Sequence, residues 1–196
     1  GSESQRFVQP DAPIAYTVYF ENASTASAPA QTVAVTDPID VNLDTSTIVL
    51  TGIAWGDHQV AISSGTLPFH VRESIPDYRP NESKTWWVDV DVLLDAGTLR
   101  CDFATLDPDT GALPEDVRAG FLPPNDTTHR GEGYVMFSVL PNDDVSPGTR
   151  IVNTASIVFD TETTMETNEV FNTIAGPNQA PSLEHPGNQT GAPGVS

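Results

Sequence analysis

Apolar and polar residues alternate one by one along short runs of this chain, and clusters of Pro, Gly, Asn and Asp separate the runs. In the run PIAYTVYFE, the residues Ile14, Tyr16 and Val18 share one face of an extended backbone, and the residues between them share the other. Because successive side chains of a strand point to opposite faces, this run predicts a strand that is buried on one side. The apolar spacing of an amphipathic helix is almost absent, so an all-β fold is predicted.

The same alternation recurs along residues 6 to 175, with turn residues between the runs. The further runs are QTVAVTD, STIVLTGIAW, LPFHVRE, KTWWVDVDVLL, TLRCDFATL, GYVMFSVL, TRIVNTASIVFD and METNEVFNTI. Many short strands with turn signals between them are typical of two sheets packed face to face. The sequence therefore predicts a two-sheet antiparallel Ig-like β-sandwich with one long interstrand loop, from about Leu106 to Gly131. Phe121 and Leu122 are predicted to pin that loop to the body.

Residues 176 to 196 have a different composition, rich in Pro, Gly, Asn and Gln and without sustained alternation. Such a composition is typical of a linker. We therefore expect one domain at residues 6 to 175, followed at residues 176 to 196 by an interdomain linker and the start of a following domain. No apolar run approaches the roughly 20 residues that a membrane-spanning helix needs.

The charge balance of the chain narrows the choice of partners. The chain has 8 Lys and Arg residues against 27 Asp and Glu residues, so its net charge is −19. This charge repels phosphate backbones and anionic lipid surfaces, and we expect no nucleic acid and no membrane partner. The lone cysteine, Cys101, excludes an internal disulfide. Cys101 lies in phase with Leu99 and Phe103, so it is predicted to be a buried small apolar residue.

Six blocks stand in order along the chain: IAYTVYFENASTASAPAQTVAVTDPID, WGD, DPDTGALPEDVRAGFLPPN, GEGYVMFSV, GTRIVNTASIVFD and TNEVFNTI. Together they resemble the conserved-repeat Ig-like domain of unknown function that occurs in tandem in large secreted bacterial surface proteins. The resemblance covers about residues 6 to 174, and the tail segment NQAPSLEHPGNQT is similar to the start of a further Ig or cadherin-like repeat. It implies a building block of a multidomain extracellular array, and it implies no catalytic residues.

Acidic side chains are concentrated in the stretch LDPDTGALPEDV of the predicted long loop. Calcium takes six to eight oxygen ligands from carboxylates, amides, carbonyls and water. The candidate ligands are Asp107, Asp109, Thr110 and Asp116. The spacing is not that of an EF-hand, because Gly111 comes one position early and Arg118 stands at the twelfth position. Two interpretations stay open, a loop held by calcium or a loop held by turn residues, proline and aromatic packing.

A second acidic set lies in FDTETTMETNE, around a predicted hairpin. Its candidate calcium ligands are Asp160 and Asn168, with Glu162 and Glu166 between them. The alternative interpretation is a solvated hairpin tip that binds no ion.

The run TWWVDVDV contains a candidate binding surface for carbohydrate. Trp86 shares the apolar face of this strand, whereas Trp87 shares the polar face with Asp89 and Asp91. Sugars stack on exposed aromatic rings beside carboxylates that bind their hydroxyl groups. Trp87, Asp89 and Asp91 are therefore candidate ligand-binding residues, with Tyr78 on the preceding loop as a companion. The alternative is that a neighbouring loop covers Trp87.

No pattern in the chain points to catalysis. The histidines are scattered without metalloprotease spacing, and neither a nucleophile elbow nor a glycine-rich phosphate loop is present. An intramolecular isopeptide bond, which stiffens some surface Ig-like domains, would have to use Lys84, the only lysine.

The sequence therefore predicts a non-catalytic structural or adhesion module of a large extracellular bacterial protein, secreted or at the cell surface. Its predicted partners are neighbouring domains of the same chain, and calcium is the candidate stabilising ion. The alternative is a carbohydrate-binding module appended to a secreted carbohydrate-active enzyme, with a polysaccharide or a cell-surface glycan as its partner.

Overall fold

The computed structural model describes residues 6–79 and 81–176 together with the backbone of residues 189–190. Over these residues the chain forms strands and no helix, so it has no helix that is long and apolar enough to cross a membrane. The strands are β1 (Phe7–Val8), β2 (Ile14–Glu21), β3 (Thr32–Pro38), β4 (Leu43–Trp55), β5 (His58–Gln59), β6 (Phe69–Pro76), β7 (Thr85–Asp95), β8 (Thr98–Leu106), β9 (Glu132–Pro141), β10 (Arg150–Asn153), β11 (Ser156–Phe159), β12 (Met165–Glu166), β13 (Val170–Ile174) and β14 (Gln189–Thr190).

Hydrogen bonding joins these strands into three groups. A five-stranded sheet has the order β14-β2-β9-β4-β5, and a six-stranded sheet has the order β12-β11-β3-β8-β7-β6. A third, three-stranded sheet has the order β1-β13-β10. The pairs are antiparallel except β1 with β13 and β14 with β2, which are parallel.

The inward faces of the sheets meet in one apolar core. Phe20 of β2 packs edge-on against Phe103 of β8, with ring centroids 5.2 Å apart. Trp55 of β4 lies 5.9 Å from the same Phe103 ring. Because β2 and β4 belong to the five-stranded sheet and β8 to the six-stranded sheet, these contacts join the two layers. The predicted all-β sandwich is confirmed, and Cys101 is 1% exposed, as predicted.

The run TRIVNTASIVFD, predicted as one strand, is split into β10 and β11. β10 pairs with β13, whereas β11 pairs with β3 and β12. At the bend, Ala155 N–H donates to Thr167 Oγ1 at 2.9 Å, and Thr167 N–H donates to Ala155 C=O at 2.8 Å. The Thr167 hydroxyl therefore accepts a hydrogen bond from the backbone at the point where the chain passes from one sheet to the other. Alternation of apolar residues does not predict this bond.

The long loop runs over residues 107–131, between β8 and β9, close to its predicted bounds. Phe121 and Leu122 are both fully buried, which confirms that they pin the loop. The Phe121 ring stacks on Phe103 with centroids 5.7 Å apart. Gly120 is required beside them, because a Cβ there would lie 2.4 Å from the Ala30 carbonyl oxygen.

A side chain just before β3 holds the middle of the same loop. Gln31 Nε2 lies 3.0 Å from the carbonyl oxygen of Pro114 and 3.1 Å from those of Asp116 and Ala119. The loop is thus attached to the six-stranded sheet both by apolar packing and by hydrogen bonds to its backbone.

A polar pair is buried within the core. Asn153 Nδ2 donates to Asp37 Oδ2 at 2.9 Å. Asp37 is 1% exposed and Asn153 is 2% exposed. The inward position of Asn153 is therefore matched by a carboxyl group from β3.

The predicted linker at residues 176–196 lies mostly outside the described residues. Within it, the backbone of β14 pairs in parallel with β2, with Gln189 opposite Val18 and Thr190 opposite Tyr19.

Candidate functional site

Lys84 neutralises one end of the acidic stretch in the long loop. Its Nζ lies 2.7 Å from Asp107 Oδ2 and 3.3 Å from Asp109 Oδ2. The loop closes as a turn in which Gly111, with φ of 69°, donates its N–H to Asp107 C=O at 2.7 Å. The Lys84 hydrogen bond lowers the pKa of Asp107, and Asp107 in turn raises the pKa of Lys84. The Lys84 amine is therefore held protonated, which is not the nucleophilic form that an isopeptide bond requires.

Two arginines hold the other end of the stretch. The Arg79 guanidinium bridges Asp77 and Asp116, and Arg118 Nη2 lies 2.9 Å from Asp116 Oδ2. Hydrogen bonds from Arg118, with a smaller contribution from the Arg79 charge, lower the pKa of Asp116 to about 2. Hydrogen bonds from Arg79 lower the pKa of Asp77 to about 2. The loop is thus closed by charges of the chain itself.

These ion pairs do not fit a ready-made calcium site. Asp107 and Asp109 gather at Lys84, whereas Asp116 gathers at Arg79. Thr110 accepts a hydrogen bond from Ala112 N–H within its own turn at 3.3 Å. In the part of the chain that the structure describes, no group of three or more His, Cys, Asp or Glu side chains is placed to hold a metal ion. Calcium binding in this loop stays a prediction, and it would require Lys84 or Arg79 to be displaced.

Calorimetric titration of the chelator-treated protein with calcium tests this directly. We expect no stoichiometric heat, because the carboxylates already have cationic partners. Lys84→Met should increase the affinity for calcium, since it frees Asp107 and Asp109. A one-to-one isotherm for the native protein that disappears in Asp107→Asn would contradict this expectation and restore the calcium-held loop.

The second predicted calcium set is also engaged by backbone. Asp160 Oδ1 accepts hydrogen bonds from the N–H groups of Gln31 at 2.9 Å and Thr32 at 2.8 Å. Asn168 is an exposed residue between β12 and β13. The Asp160 carboxylate therefore binds the backbone N–H groups at the start of β3, and no calcium ion is needed to explain its position.

The predicted carbohydrate surface around Trp87 forms part of the outer face of the six-stranded sheet. The Arg72 guanidinium lies over the Trp87 ring, 4.4 Å from its centroid, and also pairs with Asp89 through two hydrogen bonds. His70 Nδ1 lies 2.9 Å from Asp91 Oδ1. Cross-strand register explains these contacts, because Arg72 stands opposite Asp89 and His70 opposite Asp91. One face of Trp87 is therefore occupied by Arg72 and is not open for a sugar ring.

Tyr78 does not accompany Trp87. Its hydroxyl lies 3.3 Å from Nε2 of His58 on β5, a strand of the five-stranded sheet. The Tyr78 ring packs at the edge of the core. The structure therefore places the two predicted aromatic partners on different sides of the six-stranded sheet.

Sequence reasoning missed an aromatic depression on the outer face of the five-stranded sheet. Its volume is about 220 Å³, and its lining includes Tyr19, Trp55, His129, Glu132, Gly133 and Tyr134. Tyr19 of β2 stands opposite Tyr134 of β9, and their ring centroids are 5.8 Å apart. Both tyrosines lie at the outward, mostly polar positions of their alternating strands. An aromatic residue at such a position is the sequence signal that could have identified them.

A hydrogen-bond network borders this depression. Asn125 Nδ2 donates to Glu21 Oε1 at 2.9 Å and to Glu132 Oε1 at 3.0 Å. His129 Nδ1 lies 2.6 Å from Glu132 Oε1. The hydrogen bond raises the pKa of His129 and lowers the pKa of Glu132. Glu21 and Glu132 are cross-strand neighbours, so Asn125 from the long loop joins the loop to both strands.

Comparison with known proteins covers only the C-terminal part of this arrangement. No curated protein and no solved structure matches the chain. A family model described as a domain of unknown function, DUF7619, matches residues 118–173. The match begins in the long loop and includes Phe121, His129, Glu132 and Tyr134. Residues 118–173 of this chain are therefore similar to DUF7619, a domain family described as of unknown function.

Proposed function

We propose that this chain is a non-catalytic structural module, Ig-like in architecture, of a large extracellular bacterial protein. The observation that carries the proposal is the parallel pairing of β1 with β13. The surface supports it as well, because a net charge of −19 keeps an array of such modules solvated. Neighbouring domains of the same chain are its proposed partners.

Parallel pairing determines how the domain responds to a pull on its two ends. In a parallel pair, both strands run in the same direction, so the chain enters β1 at one end and leaves β13 at the opposite end. Thr173 N–H donates to Arg6 C=O at 2.7 Å, and Ala175 N–H donates to Val8 C=O at 2.8 Å. A pull along the chain loads these bonds in shear, so they must break together instead of one after another.

The interior is built to support such a load. The long loop is fastened by the buried Phe121 ring and by the ion pairs of Lys84 and Arg79. Because the interior between the two larger sheets is close-packed, it deforms little and transmits strain from one sheet to the other. A spacer or adhesion array would use both properties to hold its outer domains at a fixed distance from the cell.

Pulling one protein in two directions tests this proposal. Cysteine handles at Arg6→Cys and Gly176→Cys load the β1 and β13 pair in shear, whereas handles at Asp11→Cys and Gly176→Cys lie at the same end and peel it open. Cys101 is 1% exposed and does not compete for attachment. We expect a clearly higher unfolding force for the shear pair in single-molecule experiments. Equal forces in the two directions would remove the mechanical basis of the proposal.

A further inference from the structure

We propose that the depression between Tyr19 and Tyr134 binds one ring-sized unit of a neutral saccharide. This binding site goes beyond the structural role and does not depend on it. It also differs from the carbohydrate surface predicted from the sequence, because it lies on the other sheet and uses other residues.

The size and position of the depression suit part of a larger molecule. Its volume is about 220 Å³, which is below the roughly 300 to 1,000 Å³ of pockets that enclose a whole drug-sized ligand. It lies on the outer face of the sheet, where β2, β9 and β4 are neighbours. A chain of sugars could therefore place one ring in the depression and continue along the surface.

Two half-exposed aromatic rings form its walls. Tyr19 and Tyr134 meet edge to face, with an interplanar angle of 63°. Both rings line the depression, and the C–H groups of a pyranose can pack against such aromatic walls. Gly133 keeps the backbone between them in place, because a Cβ there would lie 2.3 Å from the Phe20 ring.

The polar border is organised before any ligand arrives. Asn125 joins Glu21 and Glu132, and its Oδ1 accepts hydrogen bonds from Asp126 N–H at 3.0 Å and Gly131 N–H at 3.2 Å. His129 uses Nδ1 toward Glu132, and its side chain is 73% exposed. Its Nε2 is therefore available to a hydroxyl group, while Glu132 offers a carboxylate as acceptor. Preorganised polar groups of this kind reduce the entropy cost of binding.

Charge selects among saccharides. Glu21 and Glu132 stand side by side at the border, and the whole chain carries a net charge of −19. An acidic sugar would be repelled by these carboxylates, whereas a neutral sugar is not repelled and can donate hydrogen bonds to them. On the six-stranded sheet, Arg72 already occupies one face of Trp87, so that surface is less suited to bind a sugar ring.

The experiment is a titration of the complete chain with neutral oligosaccharides, followed by amide chemical shifts in solution. The probes are cellohexaose, mannohexaose, xylohexaose and chitohexaose, each at millimolar concentration. For at least one probe, we expect saturable shifts confined to residues 19, 54–56 and 129–134. No saturable shift with any of the four, or shifts confined to the surface around Trp87, would overturn the proposal.

Matched variants identify the site. Tyr134→Ala should weaken binding about tenfold through loss of the aromatic contact, whereas Trp87→Ala on the other sheet should leave it unchanged. Thermal melting confirms that each variant is folded. If Tyr134→Ala does not fold, His129→Ala is used, because this exposed side chain should cost about threefold in affinity through one lost hydrogen bond. Native affinity in a folded Tyr134→Ala or His129→Ala protein would overturn the assignment.

Discussion

Asp37→Asn is expected to raise the stability of the protein above that of the native chain near neutral pH. Asp37 is 1% exposed, and burial raises the pKa of its carboxyl to about 7 from 3.8, against the opposing hydrogen bond from Asn153. An ionised carboxylate at this position is poorly solvated, whereas an amide has the same shape and no charge. The substitution therefore removes an electrostatic cost without leaving a cavity.

Among the described residues, one carboxyl oxygen of Asp37 has no hydrogen-bond partner. Asn153 Nδ2 donates to one carboxyl oxygen, while Asp37 Oδ1, Asn153 Oδ1 and Tyr16 Oη make no hydrogen bond to the described residues. A proton on Asp37 adds a donor near the Asn153 amide oxygen, whereas the Tyr16 hydroxyl can itself donate or accept. Burial, and then the charges of Asp37 and Asp40, raise the pKa of Tyr16, so its hydroxyl stays protonated near the Asp37 carboxyl.

The direction of the pH dependence follows from proton linkage. Between about pH 4 and about pH 7, the folded state holds a proton on Asp37 that the unfolded state has lost. The free energy of unfolding therefore falls as the pH rises through this window, by on the order of 1 kcal/mol per pH unit. Below about pH 4 the opposite trend appears, because the carboxylates of Asp77 and Asp116, whose pKa values are lowered to about 2, lose their stabilising charge. Maximal stability is expected at about pH 4 to 5.

Urea unfolding of the native protein and Asp37→Asn across this range is the measurement. The native free energy of unfolding should decline toward neutral pH, and that of Asp37→Asn should stay nearly level. Asp40→Asn is the matched control, since Asp40 is partly exposed and should leave the slope in place. Parallel pH profiles for the native protein and Asp37→Asn would contradict the prediction.

Phe121→Ala is expected to destabilise the domain by about 3 to 5 kcal/mol, the range for truncation of a fully buried phenylalanine. Its ring is fully buried, stacks on Phe103, and lies 6.1 Å from Trp55. The truncation opens a cavity where the long loop meets both sheets, and Gly120 leaves little room for the backbone to close it. Loss of this anchor should also increase hydrogen exchange over residues 107–131.

Val117→Ala is the control in the same loop, because Val117 is 68% exposed. Its effect should stay within about 0.5 kcal/mol. Urea unfolding measures both variants, and hydrogen exchange locates the loosened segment. If Phe121→Ala lost less than about 1 kcal/mol, or if calcium restored its stability, the loop would be held by something other than this ring.

Alternation along the chain predicted most strands, their inward faces and the burial of Cys101. It succeeded because the two faces of a strand follow from a local backbone repeat. It failed at the bend between β10 and β11, where the side chain of Thr167, just after β12, accepts a hydrogen bond from the Ala155 backbone. The acidic loop was located correctly by composition, but the sequence did not show that Lys84 and Arg79 would occupy its carboxylates.

The alternating pattern by itself determined an all-β chain and its strand faces, since both depend on residues close together in sequence, and the apolar residues of the long loop indicated its anchor. Only the tertiary structure decided which polar groups meet. Asp37 and Asn153 are 116 positions apart, and Glu21 and Asn125 are 104 positions apart. Their contacts arise from strand order and loop closure, and alternation within a single strand carries no information about either.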